Sequence, residues 1–151
     1  MEKEIEEDYC SYKTSKLLKD KGFNESIETL IQPDGTRWFL DENSVKIDKH
    51  LTIRNSETNP YSDAVSCPTL AMAAKWLRKT YNLHISVFVG TDESSDADGK
   101  IVEEWSFWTY LIESTYGNII YDACAQFDPT EYQSYEEALE AAIVYSLKNL
   151  I

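Results

Sequence analysis

The chain has 151 residues, 27 acids against 14 Lys and Arg, and a formal net charge of −13. That balance repels phosphate and anionic lipid, which excludes ordinary nucleic-acid and membrane-surface binding, and no apolar run reaches the ~18 residues of a membrane span. Aromatic residues make up 13% of the chain, with ten Tyr and four Trp; this excludes a disordered tail and suits one domain with a real core.

Residues 1–10 form an acidic, frayed arm that lacks the apolar stretch of a secretory leader. A single α+β domain is expected over 11–151. Ser11 to Lys21 reads as a short basic helix with Leu17 and Leu18 inward, ended by Gly22 as a left-handed C′ residue on which Phe23 packs back. Glu28–Ile31 and Thr36–Leu40 flank Pro33-Asp34-Gly35, which is turn chemistry, so they form a hairpin. Trp38, Phe39 and Leu40 supply its apolar content. Asp41 to Pro60 is a loop with one edge strand at most, and Asn55–Ser62 is rich in turn residues.

The most informative stretch runs from Cys67 to Val89. Pro68 suits the first turn of a helix, with Ser66 or Thr69 as its cap. Leu70, Ala73, Ala74, Leu77 and Tyr81 share one helical face. Asn82 suits the left-handed turn that ends the helix. Ile85, Val87 and Val89 then alternate as a strand, and residues 90–100, GTDESSDADGK, read as a polar loop. Glu103 to Glu113 is the longest strand and carries large apolar groups on both faces, so it is central or has one face on a partner. Tyr116-Gly117-Asn118 turns the chain, Asn118–Ala123 pairs back, and Ala125 to Gln133 connects to the last helix. Ser134 with Glu137 three residues later is a capping box, and Leu139, Ala142, Ile143, Leu147 and Leu150 form the stripe. The expected architecture is α+β: an antiparallel sheet of three to five strands with helices packed on one face, a two-layer sandwich.

The central stretch with Trp76-Leu77-Arg78 and Asn82-Leu83-His84, the C-terminus with Ser134 through Ala141, and the short helix ending in Leu17 to Phe23 together cover roughly half the chain. In these segments the chain resembles a family of small uncharacterised proteins of phages, prophages and mobile elements of gut Bacteroides-type bacteria. The resemblance implies a cytoplasmic accessory protein in a bacterial host cell. It carries no assigned activity, so it transfers no catalytic residue.

Three cysteines, Cys10, Cys67 and Cys124, are odd in number and far apart, which fits a reducing compartment better than a disulfide framework. Cys67 at a helix start is the one candidate nucleophile, since a helix dipole lowers a thiol pKa there. His84 is too far to serve it, because a helix of ~12 residues spans ~18 Å. His50 is the candidate base, with Asp63 or Asp122 to orient it. No CxxC or HxxxH spacing marks a metal site. Asp96 and Asp98 imitate the third and fifth positions of an EF-hand loop, but Ser94 and Trp105 stand where the first and twelfth ligands belong. Nothing in the sequence calls for a cofactor.

The leading reading is a non-enzymatic protein that binds a host or viral protein partner, with homodimerisation an open alternative. The expected interface is Trp105, Phe107, Trp108, Tyr110, Glu103 and Glu104, which combine aromatic hot-spot character with negative charge. The second reading is an acidic mimic of nucleic acid that occupies a DNA- or RNA-binding protein. The third is a cysteine hydrolase using Cys67.

Overall fold

The computed structural model describes residues 5–40, 52–58, 62–126 and 130–151. The chain is α+β, as the sequence pattern implies, with three α-helices and two separate three-stranded antiparallel sheets in place of the one sheet expected. It divides into two compact units: 1–76 with 144–151, and 77–143.

In the first unit α1 spans Tyr12–Asp20. The Ser11 hydroxyl accepts the Thr14 amide at 3.3 Å, which satisfies one of the donors a helix start leaves open. The helix ends in a Schellman motif: the Gly22 amide donates to the Lys19 carbonyl and the Phe23 amide to the Leu18 carbonyl. Gly22 sits at φ +91°, which only glycine adopts without strain. Phe23 turns its ring inward against Trp76, edge to face at 5.4 Å.

Strands β1 (Thr29–Ile31) and β2 (Arg37–Phe39) form the expected hairpin. The Gly35 amide closes the turn onto the Gln32 carbonyl. The Asp34 carboxylate accepts the Thr36 amide at 2.8 Å, and that bond holds its pKa below the ordinary carboxylate value. Trp38 and Phe39 do not supply core, because all of β2 is exposed. The hairpin buries Thr29 and Ile31 of β1 instead.

The other edge of β1 takes a strand that the sequence does not advertise, β3 (Val65–Ser66). It is two residues long and exists through its partner. Its consequence is local and large: the chain is still extended at Cys67, so α2 (Leu70–Tyr81) starts later than Pro68 suggests. Thr69 is the cap, its hydroxyl accepting the Met72 amide at 3.1 Å. Pro68 therefore precedes the cap and is not a first-turn residue.

Residues 8–10 are not frayed. The Cys10 amide donates to the Pro68 carbonyl and the Leu70 amide to the Asp8 carbonyl, while Tyr9 bridges Thr69. Asn55, buried in a short 3-10 turn (Asn55–Glu57), ties three segments together: its side-chain amide donates to the Phe23 carbonyl at 2.8 Å and accepts from the Ser66 amide at 3.0 Å. Ile53 makes a single bridge to Ile27. The rest of the edge-strand expectation, 41–51, lies outside the described residues.

Leu70, Ala73, Trp76 and Leu77 are the buried stripe of α2, whereas Tyr81, expected on that face, is exposed. Asn82 takes φ +57°, as anticipated. The chain then enters the second sheet, ordered β4-β5-β6. Strand β4 runs Leu83–Ser95, six residues beyond the expected end at Val89, and β5 runs Ile101–Ser114. The polar loop is thus shorter than expected: Thr91 to Ser95 are strand, paired residue by residue with β5. Only Asp96 to Lys100 turn, with Gly99 at φ +76°. Strand β6 (Ile119–Asp122) pairs back on β5, and Tyr132 then makes a bridge beside it, exchanging both backbone bonds with Trp108.

Helix α3 spans Tyr135–Asn149. The Ser134 hydroxyl accepts the Glu137 amide at 3.1 Å, and the Glu137 carboxylate reaches back to the Gln133 amide. Ala138, Leu139, Ala142, Ile143 and Leu147 are its buried stripe. Among the described residues no helix is long and apolar enough to cross a membrane.

Candidate functional site

The cysteine reading loses its physical basis. Cys67 is 0% exposed and lies in extended chain ahead of the Thr69 cap, not on the first turn where a dipole would stabilise a thiolate. Its amide donates to the Thr29 carbonyl, and its Sγ donates to the Cys10 carbonyl at 3.3 Å. That last bond needs the thiol proton. His50 lies outside the described residues. The Asp63 backbone carbonyl accepts the Tyr12 hydroxyl, and the Asp122 carboxylate accepts the Cys124 and Ala125 amides in a local turn.

Asp96 and Asp98 sit at the tip of the β4–β5 hairpin, between strands and not between helices. The Asp96 Oδ1 accepts the Asp98 and Lys100 amides at 3.0 and 2.9 Å, so it closes a hairpin tip. Among the described residues no group of three or more His, Cys, Asp or Glu could hold a metal.

The proposed aromatic interface divides. Phe107 and Tyr110 are 6% and 3% exposed, so they are core and cannot form a surface. Phe107 lies over Gly90, its partner across the strands. Tyr110 lies near Tyr121 and Tyr132 with ring centroids 5.9 and 6.1 Å apart, and burial raises the Tyr132 hydroxyl above its ordinary pKa. Trp108 is half-buried, edge to face with Tyr135 at 5.7 Å. Glu103, Glu104 and Trp105 remain at the surface. The Trp105 indole N–H donates to the Glu131 carboxylate at 3.3 Å, which fixes the ring's orientation.

These three residues belong to the distal end of the β4–β5 ribbon, together with Asp92 and Glu93, which are strand and not loop. The register sets Asp92 opposite Trp105, Glu93 opposite Glu104 and Ser94 opposite Glu103. Trp108 spends both backbone groups on Tyr132, so even-numbered residues of β5 point their amides and carbonyls away from β4. Glu93 and Glu104 are therefore a non-hydrogen-bonded pair, the kind whose side chains approach most closely, with Cβ atoms roughly 4.5–5.5 Å apart. Two like charges directly opposite each other destabilise a sheet. Among the described residues no Lys or Arg forms an ion pair with Glu93 or Glu104. An open hollow of about 550 Å³ is lined by Thr91, Asp92, Glu93, Glu104, Trp105 and Ser106.

The same parity fixes the outer edge of β4. Even residues of β4 bond to β5, while Val87, Val89 and Thr91 aim amide and carbonyl outward. Among the described residues nothing pairs with that edge. Phe88 and Val89 are exposed beside it. A signal for this longer ribbon was present in the sequence: Asp98-Gly99 is a strong hairpin dipeptide, and it places strands on both sides of residues 96–100.

A second exposed aromatic group sits on β2 in the first unit. The Arg37 guanidinium lies 5.2 Å from the centre of the Tyr9 ring, and Tyr9 meets Phe39 edge to face at 5.8 Å. Comparison of the chain with protein-family models, with curated proteins and with solved structures gives no match in any of the three.

Proposed function

We propose that this chain is a non-enzymatic accessory protein of the cytoplasm, of the kind its family resemblance implies, and that it acts by binding another protein. The distal β4–β5 ribbon is the binding surface. Trp105 is the aromatic anchor, and Asp92, Glu93, Glu103 and Glu104 select a basic partner. The observation that carries this reading is the opposed pair Glu93 and Glu104. A sequence folding only for stability would avoid it, and local rules are broken most often where a surface has work to do. A cation from a partner would turn the repulsion into two attractions.

The mimic reading is less well supported. It needs carboxylates in rows matching a phosphate backbone, whereas the ribbon acids come as adjacent pairs, Asp92-Glu93 and Glu103-Glu104, whose members fall on opposite faces.

The double variant Glu93→Gln, Glu104→Gln tests the proposal, because it separates stability from binding. Urea unfolding is expected to show a gain of about 0.2–1 kcal/mol as the repulsion is removed. Host proteins captured by the wild-type chain are expected to be lost. Unchanged capture by the double variant would count against the ribbon as the surface.

A further inference from the structure

Resting on the binding reading above, we propose that the partner contributes an extended, basic segment that adds to the outer edge of β4 as a further antiparallel or parallel strand. Three observations converge on it.

The first is backbone supply. Val87, Val89 and Thr91 present amides and carbonyls outward in a row, and β4 pairs with β5 alone among the described residues; the Glu93 amide donates to the Asp92 carboxylate at 2.8 Å. Proteins blunt such an edge with a proline, a bulge, a cover or charge; the charges toward the tip of β4 are the acids Asp92 and Glu93, which repel a like edge and not a basic strand. Here β4 has no proline, and its irregularity falls only at Ser94/Ser95, near the tip. An incoming strand finds regular pairing geometry through Thr91.

The second is charge. Between Thr91 and Ser106 the acids are Asp92, Glu93, Asp96, Asp98, Glu103 and Glu104, and Lys100 is the single base. Alternation puts Glu93 and Glu104 on one face of the ribbon and Asp92 and Glu103 on the other. A strand docked on β4 places a Lys or Arg beside Glu93 on the first face, with Glu104 one strand further in.

The third is the apolar content nearer the core. Val87 and Val89 share the Glu93 face, and Phe88 lies on the other. The occupant that fits has apolar or β-branched residues at this end and cations toward the tip. Backbone bonds would supply affinity and the alternating side chains specificity, as in strand addition generally. A second copy of the chain fits less well, because each copy carries a formal charge of −13 and would bring acids to acids.

The probe is a short fluorescent peptide of alternating lysine and valine, titrated into the full chain and read by anisotropy. An alternating glutamate and valine peptide is the control. The lysine peptide is expected to bind, more weakly as salt rises, and the control is not. Thr91→Pro is the decisive variant. The Thr91 amide points outward, so proline there removes no bond to β5 and is tolerated as edge prolines are, yet it blocks the added ladder. It is expected to weaken binding by more than about tenfold, while Glu93→Gln with Glu104→Gln weakens it about three- to tenfold. Should Thr91→Pro fail to fold, two peptides N-methylated at alternate residues do the same work: one keeps affinity and the other loses it.

If the glutamine variant weakens binding while proline and both methylated peptides leave it intact, strand addition is overturned and the acidic ribbon stands. If no change on either side affects binding, both fall. Absence of binding by the lysine peptide overturns the strand proposal. A chain that sediments as a dimer, and as a monomer with Thr91→Pro, overturns the basic partner in favour of a second copy.

Discussion

Replacing Phe23 by alanine is expected to cost about 3–5 kcal/mol, a large share of the ~5–15 kcal/mol by which a domain is stable. Phe23 is 1% exposed and among the largest fully buried side chains. Its ring stands edge to face on Trp76 at 5.4 Å, its amide closes the end of α1, and its carbonyl takes the Asn55 side chain. Truncation leaves the backbone bonds in place but opens a cavity between α1 and Trp76. Urea unfolding measures the loss directly. In a thermal scan it corresponds to a drop of about 6–20 °C for a chain of this length. A loss under ~1 kcal/mol would mean that Phe23 does not fill the core of the first unit.

The second large effect is expected at Gly90 and Phe107. A Cβ built on Gly90 would stand 2.7 Å from Cε2 and 2.8 Å from Cζ of the Phe107 ring. The ring rests on glycine backbone, and it is buried, so it has little room to give way. Gly90→Ala is expected to cost about 1–3 kcal/mol by overpacking. Phe107→Ala is expected to cost about 3–5 kcal/mol by leaving a void. The two are coupled: the added methyl occupies part of the space the ring vacates, so the double substitution should cost less than the sum. Urea unfolding of the four proteins gives the coupling. Strict additivity would contradict the contact.

What could be read from the sequence was what local chemistry decides. Ser11 and Gly22 bound α1, Pro33-Asp34-Gly35 make the hairpin turn, Asn82 ends α2 and Ser134 with Glu137 open α3; each depends on residues close in the chain. What was missed depends on distant partners. Val65–Ser66 are a strand because β1 lies beside them, and that strand displaces the start of α2 and with it the reading of Cys67. Thr91 to Ser95 are polar, yet pairing with β5 makes them strand. Sequence parity set Phe107 on one face of β5 and Tyr110 on the other but could not say that both faces were covered. Glu103, Glu104 and Trp105 of the candidate surface were therefore legible, and Asp92 and Glu93 were not.

Strand addition requires the outer edge of β4 to be open, and amide hydrogen exchange resolved by residue tests that directly. In the chain alone, the amides of Phe88, Gly90 and Asp92, which bond to β5, should exchange slowly. Those of Val89 and Thr91, which point outward, should exchange fast. With the lysine and valine peptide bound, the second set should become as slow as the first. Fast exchange that persists at Val89 and Thr91 in the complex, or slow exchange there without any peptide, would contradict the open edge.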